Sequence, residues 1–299
     1  MSDVKSMLQE IVDLTTHAST RPVETIIPRV VMVKGDVPRH QLAALYEPMI
    51  GFVVQGSKIL SIGGRDTKLK GPAYFLLPIH VPATAVVRST SDGRPYLSVG
   101  LSLSHKIVRE LLKDVPNELA PMPTGNFTGC AADSEFIEAW LRMLRLLKTP
   151  RDVTALAPVY EREILYRVLT GPQGFHLRHL ALRESNLSKI SQAVLWLRQN
   201  YKQPVNIRHM ASEAAMAITT FHRQFKRVTG LSPIQFQKQL RLFEARNILA
   251  FEDYAVANAA YEVGYQSPSQ FNREYARFFG APPARDAGTL RQIERARSE

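Results

Sequence analysis

At 299 residues the chain has length for about two domains, and 45% hydrophobic with 22% charged residues excludes a disordered or fibrous protein. Its one cysteine, Cys130, excludes a disulfide framework and a Cys-rich zinc cluster. The net charge of +11 points to an anionic partner and is unevenly placed: from Asn186 onward 16 Lys and Arg face 9 Asp and Glu, net +7, against 22 and 18 before it, net +4.

The first stretch, MSDVKSMLQEIVDLTTH, mixes Asp, Lys and Glu into its apolar residues, unlike a secretory signal, and no run reaches the length of a membrane span. The expected location is the cytoplasm, with no membrane partner. Residues 26 to 103 read as strands: VVMVK, FVVQ, KILSI, TKL, YFLL, TAVVRS and YLSVGLSL are short, rich in β-branched and aromatic residues, and separated by turn chemistry. Gly56-Ser57 is expected as a two-residue hairpin connection, and Gly63-Gly64 and Gly71-Pro72 punctuate the next strands. Strands at this spacing predict a barrel or sandwich, whose interior is either filled or open to a small ligand.

From Ser104 the period becomes helical, with Ile107, Leu111 and Leu112 on one face. Pro116, Pro121 and Pro123 then predict an irregular loop reaching Cys130. Residues 134 to 148 carry Phe136, Ile137, Trp140, Leu141, Leu144 and Leu147 on one stripe. A second helix over 153 to 170 steps Leu156, Tyr160, Ile164, Val168 and ends at Gly171-Pro172. Stripes this wide serve either as cover for the barrel or as a homodimer face. One small helix is expected between 172 and 187, and the domain boundary at 185/186.

Beyond it, Ile190, Val194, Leu197 and Tyr201 form the inner face of a first helix, and Asn206 caps the next, which holds Met210, Ala211 and Ala214 inward. One pattern is then written twice at an offset of fifty residues: Phe221 and Phe271, Arg223 and Arg273, Phe225 and Tyr275, Arg227 and Arg277, Gly230 and Gly280, Pro233 and Pro283. Each copy reads as a short helix, a tight turn and a second helix, the layout of a helix-turn-helix. A helix over 233 to 250, with Phe236, Leu240, Phe243 and Ile248 inward, joins the copies, and residues beyond Asp286 are expected to fray.

An α-helix fits the major groove, where Arg pairs with guanine and amides pair with adenine. With Phe221 and Phe225 on one face, Thr219, His222, Arg223 and Lys226 take the other; in the second copy Ser269, Gln270, Asn272 and Arg273 do the same. A lone arginine on such a helix is usually a solvated charge, but its repetition favours DNA contact. Lys226, Arg227 and Arg277 are expected on phosphates, and Gly230 and Gly280 as left-handed turn residues.

The strings MAITTFHRQFKRVTGLSP and YEVGYQSPSQFNREYARFFGAPP resemble the tandem helix-turn-helix domain of the AraC/XylS family of bacterial transcription regulators, over roughly 186 to 285. LYEPMIGFVVQGSK and LAPVYEREILYRVLTGPQG resemble the AraC-type N-terminal domain with its cupin-like barrel. The resemblance implies an α+β two-domain protein: a cupin-like barrel or sandwich with flanking helices over 1–185, and an all-α tandem helix-turn-helix over 186–299. It further implies a regulator that binds double-stranded promoter DNA, meets RNA polymerase, and senses a small molecule or dimerises through its N-terminal domain. By position the base readers are Thr219, His222 and Arg223, then Pro268, Ser269, Asn272 and Arg273. Ala217 departs from the family's capping Ser, which Ser267 keeps, and Pro268 offers no polar side chain or amide donor.

Other chemistry is sparse. His40 and His80 lack ligand spacing, as do His176, His179 and His209, so no metal or other cofactor is expected. Cys130 is by default an inert small residue, with a thiol sensor as the sharper alternative. No nucleophile elbow, phosphate loop or dinucleotide fingerprint occurs, and no catalytic residues are assigned. Three readings stay open: a ligand-responsive regulator, a DNA-binding protein whose barrel only dimerises or docks partners, and a cupin-type enzyme with a DNA-binding tail.

Overall fold

The computed structural model describes residues 2–20, 22–35, 43–115, 129–182, 184–251 and 254–298. The chain divides into two compact units, Met1–Ser191 and Gln192–Glu299.

The first unit is a β-sandwich with helices on one sheet. Its strands are β1 (Val23–Glu24), β2 (Val30–Lys34), β3 (Ala44–Tyr46), β4 (Met49–Gln55), β5 (Ser57–Ile62), β6 (Arg65–Lys70), β7 (Ala73–Leu77), β8 (Val81–Arg88), β9 (Leu97–Ser102) and β10 (Gly129–Ala131). They pair antiparallel in a six-stranded sheet, β1-β2-β9-β4-β7-β10, and a four-stranded sheet, β3-β8-β5-β6. All seven strands read from residue pattern are present; β1, β3 and β10 are too short to carry one. Cys130 therefore lies in a strand, opposite Tyr74, and not in an irregular loop.

Gly56-Ser57 is not a hairpin. β4 pairs with β7 and β9, whereas β5 pairs with β6 and β8, so the chain changes sheets at this point. Gly56 has φ +80°, and a Cβ there would lie 2.5 Å from the Arg88 carbonyl oxygen, so only glycine turns this corner. Gly63-Gly64 does close a hairpin, with Ile62 opposite Arg65 and both glycines at positive φ.

β5 alternates as a sandwich strand should: Lys58, Leu60 and Ile62 are buried while Ser57, Ile59 and Ser61 are half-exposed. Lys58 brings a charge into that buried row. Its ammonium lies 4.9 Å from the Phe75 ring centroid and 5.2 Å from that of Tyr46, and burial lowers its pKa to about 8.

The helices of this unit are α1 (Ser2–Leu14), α2 (His105–Leu111), α3 (Ser134–Arg145), α4 (Val153–Thr170) and α5 (Gly174–Ala181). The stripe of α3 covers the six-stranded sheet: Phe136 stacks on Tyr74 at 4.5 Å and meets Phe52 edge-on at 5.4 Å, with Trp140 fully buried beside them. α4 packs on α3 and buries Val153, Ala157, Ile164, Leu165 and Val168. Of the expected stripe Ile164 and Val168 are buried and Tyr160 packs half-buried against the core, while Leu156 stands outward, because a row of fourth residues drifts around a helix of 3.6 residues per turn. Val159 and Tyr166 face outward as well.

The second unit is all helix. α6 (Asn186–Gln199) enters it, followed by α7 (Ile207–Glu213), α8 (Ile218–Thr229), α9 (Pro233–Phe251), α10 (Val256–Glu262), α11 (Pro268–Phe279) and α12 (Pro283–Ser298). On α9 Leu249 is buried and Ile248 only half-buried, one position from the expected register. The stretch beyond Asp286 does not fray into coil, because α12 buries Asp286, Ala287 and Leu290. Among the described residues no helix is long and apolar enough to cross a membrane.

Candidate nucleic-acid interface

Asn206 accepts from the His209 amide at 3.0 Å and starts α7, which buries Met210 and Ala211. The turn that follows holds Ala215 at φ +49°, and the matching turn after α10 holds Gly264 at φ +91°. The repeat offset is one residue shorter before this turn, so Gly264 answers to Ala215. Glycine is required at 264, since a Cβ would meet the Lys202 carbonyl oxygen at 2.4 Å.

Phe221 and Phe225 anchor α8, and Phe225 meets Phe236 of α9 edge-on at 5.6 Å; all three are fully buried. Phe271 and Tyr275 do the same for α11. With these faces inward, Thr219, Arg223, Lys226 and Arg227 are exposed on α8 and His222 is half-buried. On α11 Ser269, Gln270, Asn272, Arg273 and Arg277 are exposed and Pro268 is half-buried at the first helical position. Each helix ends on a left-handed glycine: Gly230 and Gly280, at φ +78° and +80°, donate to the Lys226 and Ala276 carbonyls.

The two starts differ. Ser267 Oγ accepts from the Gln270 amide at 3.3 Å, whereas Ala217 offers α8 no side-chain acceptor. Ala217→Ser is therefore expected to stabilise the second unit by about 1 kcal/mol, as its hydroxyl takes the Thr220 amide. The readout is a raised denaturant midpoint; an unchanged or lowered one contradicts this account of the helix start.

The sides of the two helices differ further, in residues that sequence reasoning missed. Glu274 accepts from Lys238 of α9 at 2.8 Å, from the Tyr265 hydroxyl at 2.9 Å and from Gln270 at 3.2 Å. Burial raises the pKa of this carboxyl, but those donors more than offset it and leave it below the ordinary glutamate value. α11 is thus strapped to the joining helix on one flank, and the Gln270 amide is drawn toward that flank. Fifty residues earlier stands Gln224, whose buried Oε1 has no partner among the described residues. The offset was the signal that could have found this pair.

Below α11, Asp286 of α12 accepts from Arg246 Nε at 2.8 Å and from the Tyr275 hydroxyl at 2.8 Å, inside the core. Arg241 of α9 donates to the carbonyls of Tyr201 and Gly264 at 2.8 Å each and of Lys202 at 3.0 Å. Gln237 adds a bond to the Tyr201 carbonyl at 2.8 Å. One helix, α9, therefore fastens the loop after α6 and the turn of the second motif, and so holds α11 in fixed register.

Elsewhere the candidate side chains do not converge. His40 lies outside the described residues, as do Pro116, Pro121 and Pro123; His80 sits in the connection between β7 and β8. Among the described residues no three His, Cys, Asp or Glu come together as a metal site. The Cys130 thiol accepts from Gln173 at 3.2 Å.

Two helix-turn-helix motifs with polar outer faces, preceded by a sandwich unit, define a class: DNA-binding regulators with a separate N-terminal domain. Residues 26–176 match the family model for the AraC-type transcriptional regulator N-terminus, and residues 210–287 match that for a helix-turn-helix domain. The chain belongs to the AraC-type transcriptional regulators. The HTH-type transcriptional activator RhaS of Salmonella schwarzengrund is 30% identical over 145 residues, 48% of this chain and 51% of that protein, and RhaS of Salmonella agona is equally similar. The chain spans about half the length of the curated relatives it matches. In fold it is similar to an apo ToxT variant from Vibrio cholerae, at TM-score 0.53 and 13% identity over 90% of this chain and 100% of that one. Unsaturated fatty acid-bound ToxT gives TM-score 0.55 and 11% identity over 86% and 94%.

Proposed function

We propose that this protein regulates transcription by binding double-stranded promoter DNA with α8 and α11, where it meets RNA polymerase, and that a small molecule acting on its N-terminal unit tunes that binding. The observation that supports this reading best is the same outward polar face, on the same buried aromatic anchors, in two helices of one unit. Base contacts fall to Thr219, His222 and Arg223 on α8 and to Pro268, Ser269, Gln270, Asn272 and Arg273 on α11. Pro268 contributes by apolar contact alone. Lys226, Arg227 and Arg277, toward the helix ends, hold phosphates. The DNA-binding domain of this reading is residues 186–299, a bound supported by the start of α6 at Asn186, six residues before the second compact unit begins at Gln192.

The protein acts in the cytoplasm as a regulator and not as an enzyme. A second reading, in which the N-terminal unit serves as a homodimer face, is favoured by Leu156, Val159 and Tyr166 standing outward on α4. Its test is the oligomeric state of Val159→Lys.

Phosphate contacts predict a strong salt dependence. The logarithm of DNA affinity of the full chain is expected to fall linearly with the logarithm of salt, by about 0.9 per neutralised phosphate. Lys226→Ala should weaken binding evenly across sequences and reduce that slope by about one. Binding that is insensitive to salt overturns the proposal, and a Lys226→Ala slope equal to the wild type removes that lysine from the phosphate set.

A further inference from the structure

The first unit carries a half-open groove of about 1040 Å³ that the DNA-binding reading does not use. One wall is α1, with Lys5, Leu8 and Val12; the other is the end of the four-stranded sheet and the connection from β8 to β9. The volume is at the upper end for a small-molecule site.

Its charge is one-sided. The lining residues include six cations, Lys5, Lys58, Lys68, Lys70, Arg88 and Arg94, against a single carboxylate, Asp92. Arg94 holds Asp92 through Nε at 2.9 Å, and Lys58 spends its ammonium on the Tyr46 and Phe75 rings. The other four are exposed, and no ion pair among the described residues engages them.

The strand register places three of those four. Ser57 on β5 is flanked by Lys70 on β6 and Arg88 on β8, so the two cations stand about 10 Å apart, two strand spacings. Lys68 lies about 7 Å along β6 from Lys70 on the same face, beside Ile59. Asp66, the next residue of that face, is turned to Ser61 Oγ at 2.6 Å and does not compensate them. Lysines on an edge strand do protect it from pairing with another sheet. That role does not account for Arg88 on the inner strand β8, or for Lys5 across the groove.

We propose that this groove binds a small organic polyanion, with an apolar body on Leu8, Val12 and Ile59 and at least two phosphate or carboxylate charges met by Lys68, Lys70 and Arg88. Separated charges suit cations about 7 to 10 Å apart better than a single acid does, and the guanidinium fork of Arg88 matches either anion. The inference deepens the reading of the N-terminal unit as the one that responds to a small molecule. It stands apart from DNA contact, because groove binding is measured without DNA and the salt slope without ligand.

The test uses the full chain and bis-ANS, an aromatic body with two sulfonates, at fixed ionic strength. One equivalent should bind, and Lys68→Glu/Lys70→Glu should weaken it by about tenfold or more while keeping the edge strand charged. Arg88→Gln, on a different strand, should weaken it as well. Arg65→Glu alters the same edge outside the groove and should leave it unchanged. Displacement by citrate at lower concentration than pyrophosphate identifies a carboxylate ligand, and the reverse order a phosphate one. Unsaturable bis-ANS binding, unchanged affinity in the double variant, or an equal loss in Arg65→Glu overturns the site.

Discussion

Asp286→Ala is expected to destabilise the second unit by about 3 to 5 kcal/mol. Both side chains of the Arg246–Asp286 pair are under a tenth exposed, at 6% and 7%. Removing the carboxylate leaves a guanidinium in the core and strips the Tyr275 hydroxyl of its acceptor. Replacing both partners by apolar residues, Arg246→Met with Asp286→Leu, should cost less than the single change, because the buried guanidinium is removed together with the carboxylate that holds it. Because Tyr275 belongs to the inner face of α11, the single variant should also loosen that helix. Denaturant unfolding followed in the second unit gives the readout; a loss under 1 kcal/mol for Asp286→Ala contradicts the account of this core.

That core was also the least legible part of the chain. Pattern reading assigns Asp, Glu and Arg to the surface, since they are seldom buried unless paired, and a partner forty residues away leaves no local trace. Asp286 is therefore read from pattern as the start of a frayed tail, and Glu274 draws no reading at all. The aromatic anchors were legible because Phe221 with Phe225 and Phe271 with Tyr275 sit one helical turn apart in both copies. Gly56 failed for a different reason. Residue spacing shows that two strands adjoin in sequence but not which strand each pairs with, so a change of sheet and a hairpin look alike until Arg88 and Tyr96 are brought against that glycine. On α4 the helix and most of its inner stripe were legible and the outward turn of Leu156 was not, because apolar residues stand on both its faces.

The second large effect concerns base reading. Arg273 on α11 and Arg223 on α8 are exposed, fifty residues apart, and equivalently placed relative to buried aromatics. Under the proposed function each reaches a guanine edge from a helix in the major groove, so each alanine variant should cost about 1 to 3 kcal/mol on a full operator. α11 is started by Ser267 and strapped by Glu274, while α8 has neither device. Arg273→Ala should consequently be the more severe of the two. Two helices held by one joining helix enter successive major grooves when their elements lie about ten base pairs apart, and the elements need not be palindromic, because the outer faces differ.

The decisive measurement is the affinity of wild type, Arg223→Ala and Arg273→Ala for a panel of single-base operator variants at one salt concentration. The account predicts that each arginine variant loses discrimination at one base of one element, a different element for each, and keeps it elsewhere. An equal loss of affinity for every operator, with discrimination intact in both variants, would show that these arginines hold phosphates and that α8 and α11 do not read bases through them.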